Sequence, residues 1–175
     1  LICGNFSSYD SVSRNRVAKL NGDSLNINTT FGTTSNFGPS YSFGQTDLVR
    51  AVFIDANDNV YLGGQFDNFN NSSTPRVNFV KLNPSGVIYS NYTRTFNGAV
   101  NSIKRQSSDK IIVVGAFRYK QNSVYKKGIA RLIDQGLSTD SGLIDPQFNN
   151  NALDGTNGNV DDFVILPSGE IVIVG

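Results

Sequence analysis

The sequence predicts an all-β protein made of repeated antiparallel units, and three observations carry that prediction. A pattern recurs: residues 49–66 (VRAVFIDANDNVYLGGQF), 100–117 (VNSIKRQSSDKIIVVGAF) and 160–175 (VDDFVILPSGEIVIVG). Each copy runs from a valine, through two apolar stretches around a polar turn, to a glycine fifteen positions on (Val49 to Gly64, Val100 to Gly115, Val160 to Gly175). Residues 1–6 (LICGNF) repeat the close of the same pattern. Next, Gly numbers 17 and Asn, Ser and Thr abound, which suits tight turns because Gly and Asn tolerate positive φ and Asn bonds its own backbone. Finally, Met is absent and Ala and Glu are sparse, so strong helix formers are missing.

The strands follow in order. Residues 1–6 close a strand, a polar segment covers 7–15, and 16–20 (RVAKL) alternate like a half-buried strand before the Asn21-Gly22-Asp23 turn. Residues 24–31 form the last strand of that unit, and a long Gly-, Ser- and aromatic-rich loop spans 32–46. The second unit has strands at 49–54 and 60–66 around an Asp55-to-Asn59 turn, a polar loop at 67–75, a strand within 76–82 (RVNFVKL), and a last stretch at 87–96. The third has strands at 100–104, 110–117 and 128–133, and ends on Asp145-Pro146-Gln147-Phe148. A polar loop at 149–159 leads to a fourth start at Val160.

Three landmarks keep the same order throughout. Gly4, Gly64, Gly115 and Gly175 are spaced by 60, 51 and 60 residues, and a phenylalanine follows the first three at Phe6, Phe66 and Phe117. Leucines fall at Leu20, Leu82 and Leu132, and closing phenylalanines at Phe31, Phe96 and Phe148. Each unit therefore offers about four short strands in meander order, a sheet that must stack on neighbours to bury both faces. Four strands in about 40–60 residues is the size of a β-propeller blade. The expected division is 1–48 (a partial first blade and loop), 49–99, 100–159, and 160–175 as the start of the next. Three periods are too few for an ordinary ring of about four to eight blades, so the chain is expected to be part of a larger propeller.

The pattern from the valine to G-x-F, then [RG]-[VI]-A-[RK]-L, then D-x-x-F, resembles the delta-60 repeat family of propeller-like modules over nearly the whole chain. A double glycine before the phenylalanine, common in that family, stands here only at Gly63-Gly64. The resemblance implies large bacterial surface or secreted proteins, or bacteriophage tail and fibre proteins, and brings no shared catalytic residue and no cofactor. It implies a non-enzymatic structural and interaction module in a virion appendage, tail or fibre, displaying loops for subunit packing or host-surface recognition. The implied partners are other virion or surface subunits, a host-surface glycan, and further copies of the chain in a homo-oligomeric appendage. The alternative location is the bacterial cell surface or medium, as an adhesin or carbohydrate-binding protein; a propeller glycosidase or lyase is the remaining option.

Composition narrows the chemistry. Fifteen basic against fourteen acidic residues give a net charge of +1, so neither nucleic acid nor an anionic membrane is expected as a partner. No apolar run is long enough for a membrane span. The absence of histidine removes His-based triads and the commonest zinc sites, and the single Cys3 cannot form a thiolate cluster. No catalytic or metal-binding residue is therefore assigned. The Asp55-to-Asn59 stretch looks like a calcium loop but lacks its central glycine and closing glutamate, so a hairpin turn is expected. Asp161 and Asp162 fall on opposite faces of a strand, which argues against an acid/base pair. Arg118, Lys120, Lys126 and Lys127 form a short basic cluster expected to be a solvated loop. The remaining candidate is the loop at 32–44, where Phe37, Tyr41 and Phe43 among Gly and Ser offer an adaptable contact surface for sugar rings or a neighbouring subunit. The other reading has these aromatics tucked beneath the loop.

Overall fold

A computed structural model describes residues 1–34, 37–40, 48–121, 123–150 and 154–175. Among them every regular element is a β-strand: β1 (Ile2–Cys3), β2 (Ser8–Tyr9), β3 (Val12–Ser13), β4 (Val17–Ala18), β5 (Pro39–Ser40), β6 (Leu48–Ile54), β7 (Val60–Gln65) and β8 (Asn68–Phe69). The order continues with β9 (Phe79–Leu82), β10 (Val100–Ser107), β11 (Lys110–Gln121), β12 (Val124–Ile133), β13 (Leu143–Ile144), β14 (Asp162–Ile165) and β15 (Ile171–Val174). Pairing is antiparallel within units. The third blade is complete as β10-β11-β12-β13, and the second is β6-β7-β9 with an isolated bridge from Leu82 to Ile88 in place of a fourth strand. The first shows β1-β4 and a Leu20–Ile27 bridge, and the fourth shows β14-β15.

Alternate residues of each middle strand bury opposite faces, as stacked blades require. On β7, Val60 and Leu62 face the first blade's cluster while Tyr61 faces the third blade. On β11, Ile111 and Val113 face the second blade while Ile112 and Val114 meet Val160 and Phe163 of the fourth. Three apolar clusters, one per junction, thus make up the core. The architecture is that of successive β-propeller blades.

The fifteen-residue spacing from valine to glycine has a backbone cause. Val49 pairs with Gly64 and Val100 with Gly115, and the register slips by one residue immediately afterwards, a β-bulge centred on Arg50 and Asn101. A Cβ on Gly115 would lie 2.1 Å from the Ala99 carbonyl oxygen, and one on Gly64 would lie 1.9 Å from that of Leu48. Only a residue without a side chain fits.

A second recurring position escapes the motif. Arg16, Asn78 and Gly128 each stand four residues before a landmark leucine, with φ of 68°, 62° and 77°. The backbone turns there into the third strand. Asn78 shows why a polar side chain serves: Oδ1 accepts the Phe66 N–H at 2.9 Å and Nδ2 donates to the Phe96 carbonyl at 2.9 Å.

Hydrogen bonding also corrects the third landmark. Asn28, Tyr89 and Asp145 each donate their N–H to the carbonyl of the basic residue preceding the leucine (Lys19, Lys81 and Arg131). Counting three residues on from these gives Phe31, Tyr92 and Phe148, so Tyr92 and not Phe96 is the counterpart in the second blade. Phe96 lies four residues further along and packs against Phe117, ring centroids 4.2 Å apart, at the second junction.

The expected fourth strands are reduced to β13 and two single bridges. The polar segments at 7–15 and 67–75, expected as loops, contain two-residue turns with both central φ positive, at Asp10-Ser11 and Asn70-Asn71. Residues 118–121 and 124–127, likewise expected as loop, extend β11 and β12 into a longer hairpin: Arg118 pairs with Lys127, Tyr119 with Lys126, Lys120 with Tyr125, and Gln121 with Val124.

Candidate functional site

Of the three aromatics expected to form a contact loop, Phe37 is buried. Its ring lies edge-on between Phe31 and Phe69, with centroids 5.3 Å from each, inside the junction of the first two blades. A Phe ring removed from water contributes about 2–3 kcal/mol to packing, so this position is spent on blade stacking. Tyr41 and Phe43 lie outside the described residues. The repeat landmarks hold the blades. Gly64 and Gly115 seat the bulges, Leu82 and Leu132 are fully buried, and Phe66 and Phe117 pack into the first and second junctions. Leu20 and Phe6 are partly buried in the first blade, where Gly4 donates its N–H to the Arg16 carbonyl.

The Asp55-to-Asn59 stretch is a hairpin turn: Asp55 Oδ1 accepts the N–H groups of Asn57 and Asn59, each at 2.9 Å. Its second oxygen enters a polar cluster that motif reading did not find. Tyr61 Oη sits between two carboxylates, 2.8 Å from Asp134 Oδ1 and 3.0 Å from Asp55 Oδ2. Its single proton serves one of them at a time. Lys81 Nζ, fully enclosed, lies 3.4 Å from Asp134 Oδ2 and 3.2 Å from Asp140 Oδ2, and donates to the Leu137 carbonyl at 2.9 Å. The rings of Tyr92, Tyr61 and Tyr89 surround that ammonium with centroids at 5.0, 5.3 and 5.3 Å. The Arg105 guanidinium stands 3.7 Å from Asp55 and 3.6 Å from Asp134. Asn59 Nδ2 donates to the Gly136 carbonyl at 2.7 Å.

The contacts of Tyr61 with Asp134, of Lys81 with Asp134, Asp140 and Leu137, of Arg105 with Asp55 and of Asn59 with Gly136 cross between the second blade and the third. Burial pushes the Tyr61 hydroxyl far above the ordinary phenol range, and the charges of Asp134 and Asp55 push the same way. Tyr92 is raised for the same reasons, burial first and Asp134 second. Asp55, Asp134, Tyr61, Lys81 and Asn59 are engaged with one another, while the Tyr92 hydroxyl and one Arg105 nitrogen are buried without a hydrogen bond, and the whole has the chemistry of a clamp. Its third-blade half comes from Arg105 on β10 and from the long connection between Leu132 and Ile144. Among the described residues no group of three or more His, Cys, Asp or Glu side chains is arranged to hold a metal ion.

Open concave surface lies elsewhere, along one rim. Residues 97–100 and 157–160 read Asn-Gly-x-Val; the first copy lies against Gly115, Ala116 and Phe117, and the second against Gly175, with the Val160 N–H donating to the Gly115 carbonyl. A groove of about 410 Å³ follows the second copy along residues 156–161. One of about 370 Å³ has Gln65, Asn78, Asn97 and Ala116 in its walls. Between them, a groove of about 390 Å³ runs from Asn97 past Arg118 and Lys127 to Asn157 and Asn159. Bulge side chains tie neighbouring blades near this rim: Arg50 donates to Asn101 Oδ1 at 3.0 Å, and Asn101 Nδ2 donates to the Val160 carbonyl at 2.9 Å. The sequence signal for the rim was the repeated Asn-Gly-x-Val. The basic hairpin beside it had been visible as a charge cluster, though its pairing had not. Asp162 and Asp161 are both exposed; the Lys104 ammonium, 2.7 Å away, holds the Asp162 carboxyl down to about 2.

The profile of a β-propeller domain of unknown function (DUF5122) matches residues 1–31 and 106–132. No curated protein and no solved structure matches the chain. The match agrees with the stacked antiparallel blades, and a β-propeller is a scaffold for structural or interaction work.

Proposed function

We propose that the chain is a non-enzymatic structural and interaction module, part of a bacteriophage tail or fibre, whose rigid blades display rim loops for subunit packing or host-surface recognition. The observation that carries this reading is the row of grooves at successive blade junctions, lined by the repeated Asn-Gly-x-Val segment and tied by the Arg50–Asn101 and Asn101–Val160 hydrogen bonds. Loops held on such a frame lose little entropy on binding. The carboxylates Asp55 and Asp134 are committed to Tyr61, Lys81 and Arg105, which weighs against their service as an acid/base pair. The resemblance to the delta-60 repeats supports the virion setting.

A secreted or cell-surface adhesin is the second reading, favoured by the extended hairpin with its exposed Arg118, Lys120 and Tyr125. Immunogold labelling with an antibody to this chain separates the two. Label on the tails or fibres of purified phage particles is expected, label on the bacterial envelope selects the adhesin, and label confined to the cytosol sinks both.

A further inference from the structure

The hairpin that extends β11 and β12 has two unlike faces. Residues directly opposite in an antiparallel pair share a face, so Arg118 and Lys127 stand together, and Lys120 and Tyr125 stand on the same side two residues along. The other face carries Tyr119, Gln121 and the buried Lys126, packed inward. The outward face therefore holds three cations and one phenol ring. Two of the cations, Arg118 and Lys127, sit as a directly opposed like-charge pair, an arrangement that costs stability.

Only Lys127 has an acidic partner among the described residues, Asp154 at 3.3 Å with both side chains exposed. Arg118 lies over the Tyr125 ring at 5.3 Å, and neither it nor Lys120 makes an ion pair there. An exposed ion pair and one ring contact offset little of that repulsion. An anionic ligand would offset the rest.

The groove below supplies the rest of a site. Asn97 Oδ1 is taken by the Arg118 N–H at 2.9 Å, and among the described residues its Nδ2 has no partner within the chain. Asn157 and Asn159 line the opposite wall and are exposed. Asn side chains both donate and accept, as a ring of hydroxyls requires. An exposed phenol edge gives a sugar ring something to lie against, and Arg is suited to carboxylate because its fork matches the two oxygens. We propose that this outward hairpin face and the groove beneath it bind an acidic polysaccharide, with Arg118 and Lys120 on its carboxylates, Asn97, Asn157 and Asn159 on its hydroxyls, and Tyr125 against a sugar ring.

Nucleic acid is the less favoured occupant. The net charge is +1 and the basic face is three residues wide, too narrow to track a phosphate backbone. This proposal rests on the reading of the chain as a display module and names a ligand class for it.

The test is calorimetric titration of the protein with tetragalacturonate, with neutral maltotetraose and a dT tetranucleotide as comparison probes. Measurements at two salt concentrations accompany the double variant Arg118→Gln/Lys120→Gln and the single variant Tyr125→Ser. All three positions are exposed, and unchanged thermal unfolding certifies the fold. Tetragalacturonate is expected to bind. The double variant should weaken it at least tenfold and flatten its salt dependence, while Tyr125→Ser should weaken it several-fold with the salt dependence intact. Absence of tetragalacturonate binding overturns the proposal, as do equal affinity for the variants and equal or tighter binding of dT. Tight maltotetraose binding with none of the acid overturns the acidic site yet leaves surface recognition standing. Cytosol-only labelling fails the display reading whatever the calorimetry gives.

Discussion

Replacing Lys81 with Met keeps the volume of the side chain and removes its charge, which isolates what the ammonium does at the second junction. In the native chain Nζ is enclosed, 3.4 Å from Asp134, 3.2 Å from Asp140 and 2.9 Å from the Leu137 carbonyl. Without it, Asp140 loses its ion-pair partner, and Asp55 and Asp134 are left with Arg105, whose nearest approaches to them are 3.7 and 3.6 Å. Breaking a buried pair by removing one partner costs about 3–5 kcal/mol, chiefly because the other charge stays buried and uncompensated. With a urea slope of about 2 kcal/mol per molar, the unfolding midpoint should fall by about 1.5–2.5 M. Asp134→Asn neutralises the stranded charge while Oδ1 can still accept from Tyr61. The double variant Lys81→Met/Asp134→Asn should therefore be more stable than the two single costs summed, with a coupling of about 1–3 kcal/mol. Chemical unfolding followed by tyrosine fluorescence measures all four corners of the cycle. A Lys81→Met cost below about 1 kcal/mol, or simple additivity with Asp134→Asn, would refute the clamp.

Three further outcomes follow from other junctions. Phe37→Ala should cost about 3–5 kcal/mol, since it empties a site between Phe31 and Phe69; a cost within about 0.5 kcal/mol, the range of exposed positions, would return Phe37 to the surface. Gly115→Ala should cost about 1–3 kcal/mol in thermal or urea unfolding, because its Cβ would meet the Ala99 carbonyl at 2.1 Å and the backbone must shift; an unchanged midpoint would dismiss the bulge account. For Asp162, the Lys104 hydrogen bond depresses the folded-state value, so whatever stability the pair contributes is present above the ordinary carboxylate range and lost as pH falls toward about 2. Both side chains are exposed, at 38% and 57%, so solvent screening keeps that contribution small. Carboxyl NMR should place the Asp162 midpoint near 2 and move it upward in Lys104→Ala; an unmoved midpoint assigns the depression to the other hydrogen bonds of the carboxylate.

The parts of the fold that sequence made legible are those set by backbone geometry at short range. The valine-to-glycine spacing was readable because a bulge needs a glycine opposite it, and the leucines because each is anchored beside a bridge to Ile27, Ile88 or Ile144. The position with positive φ was hidden, since Arg16, Asn78 and Gly128 share no chemistry and only the backbone angle unites them. Phe96 misled for the opposite reason: it supplies the expected phenylalanine, though without the motif's Asp, but the Tyr89 N–H bond to Lys81 sets the register and hands the position to Tyr92. The clamp was beyond local reading altogether. Lys81 and Asp134 are 53 residues apart, and they meet only because blades stack. The longer connection after Leu132 carries Asp134, Gly136 and Asp140 onto the second blade.

One position argues for how the stack keeps its order. Lys19, Lys81 and Arg131 hold the same place before the leucine, and each lies over an aromatic of its own blade's closing segment: Phe31 at 5.7 Å, Tyr92 at 5.0 Å and Phe148 at 4.7 Å. What differs is the anion. Arg131 pairs with Asp145 of its own blade at 2.9 Å, whereas Lys81 reaches across to Asp134 and Asp140 of the next. The apolar faces of the blades are alike in kind, dominated by Val, Ile, Leu and Phe with Ala and Tyr at the second junction, and apolar burial discriminates poorly between similar surfaces. A buried ammonium discriminates strongly, because a blade without carboxylates at that height would leave it unpaired in a dry junction. Net stability is a poor explanation for such a pair, since apolar side chains of the same volume can serve as well. Its physical value lies in making the third blade the only neighbour, among those described, that the second can accept on that face.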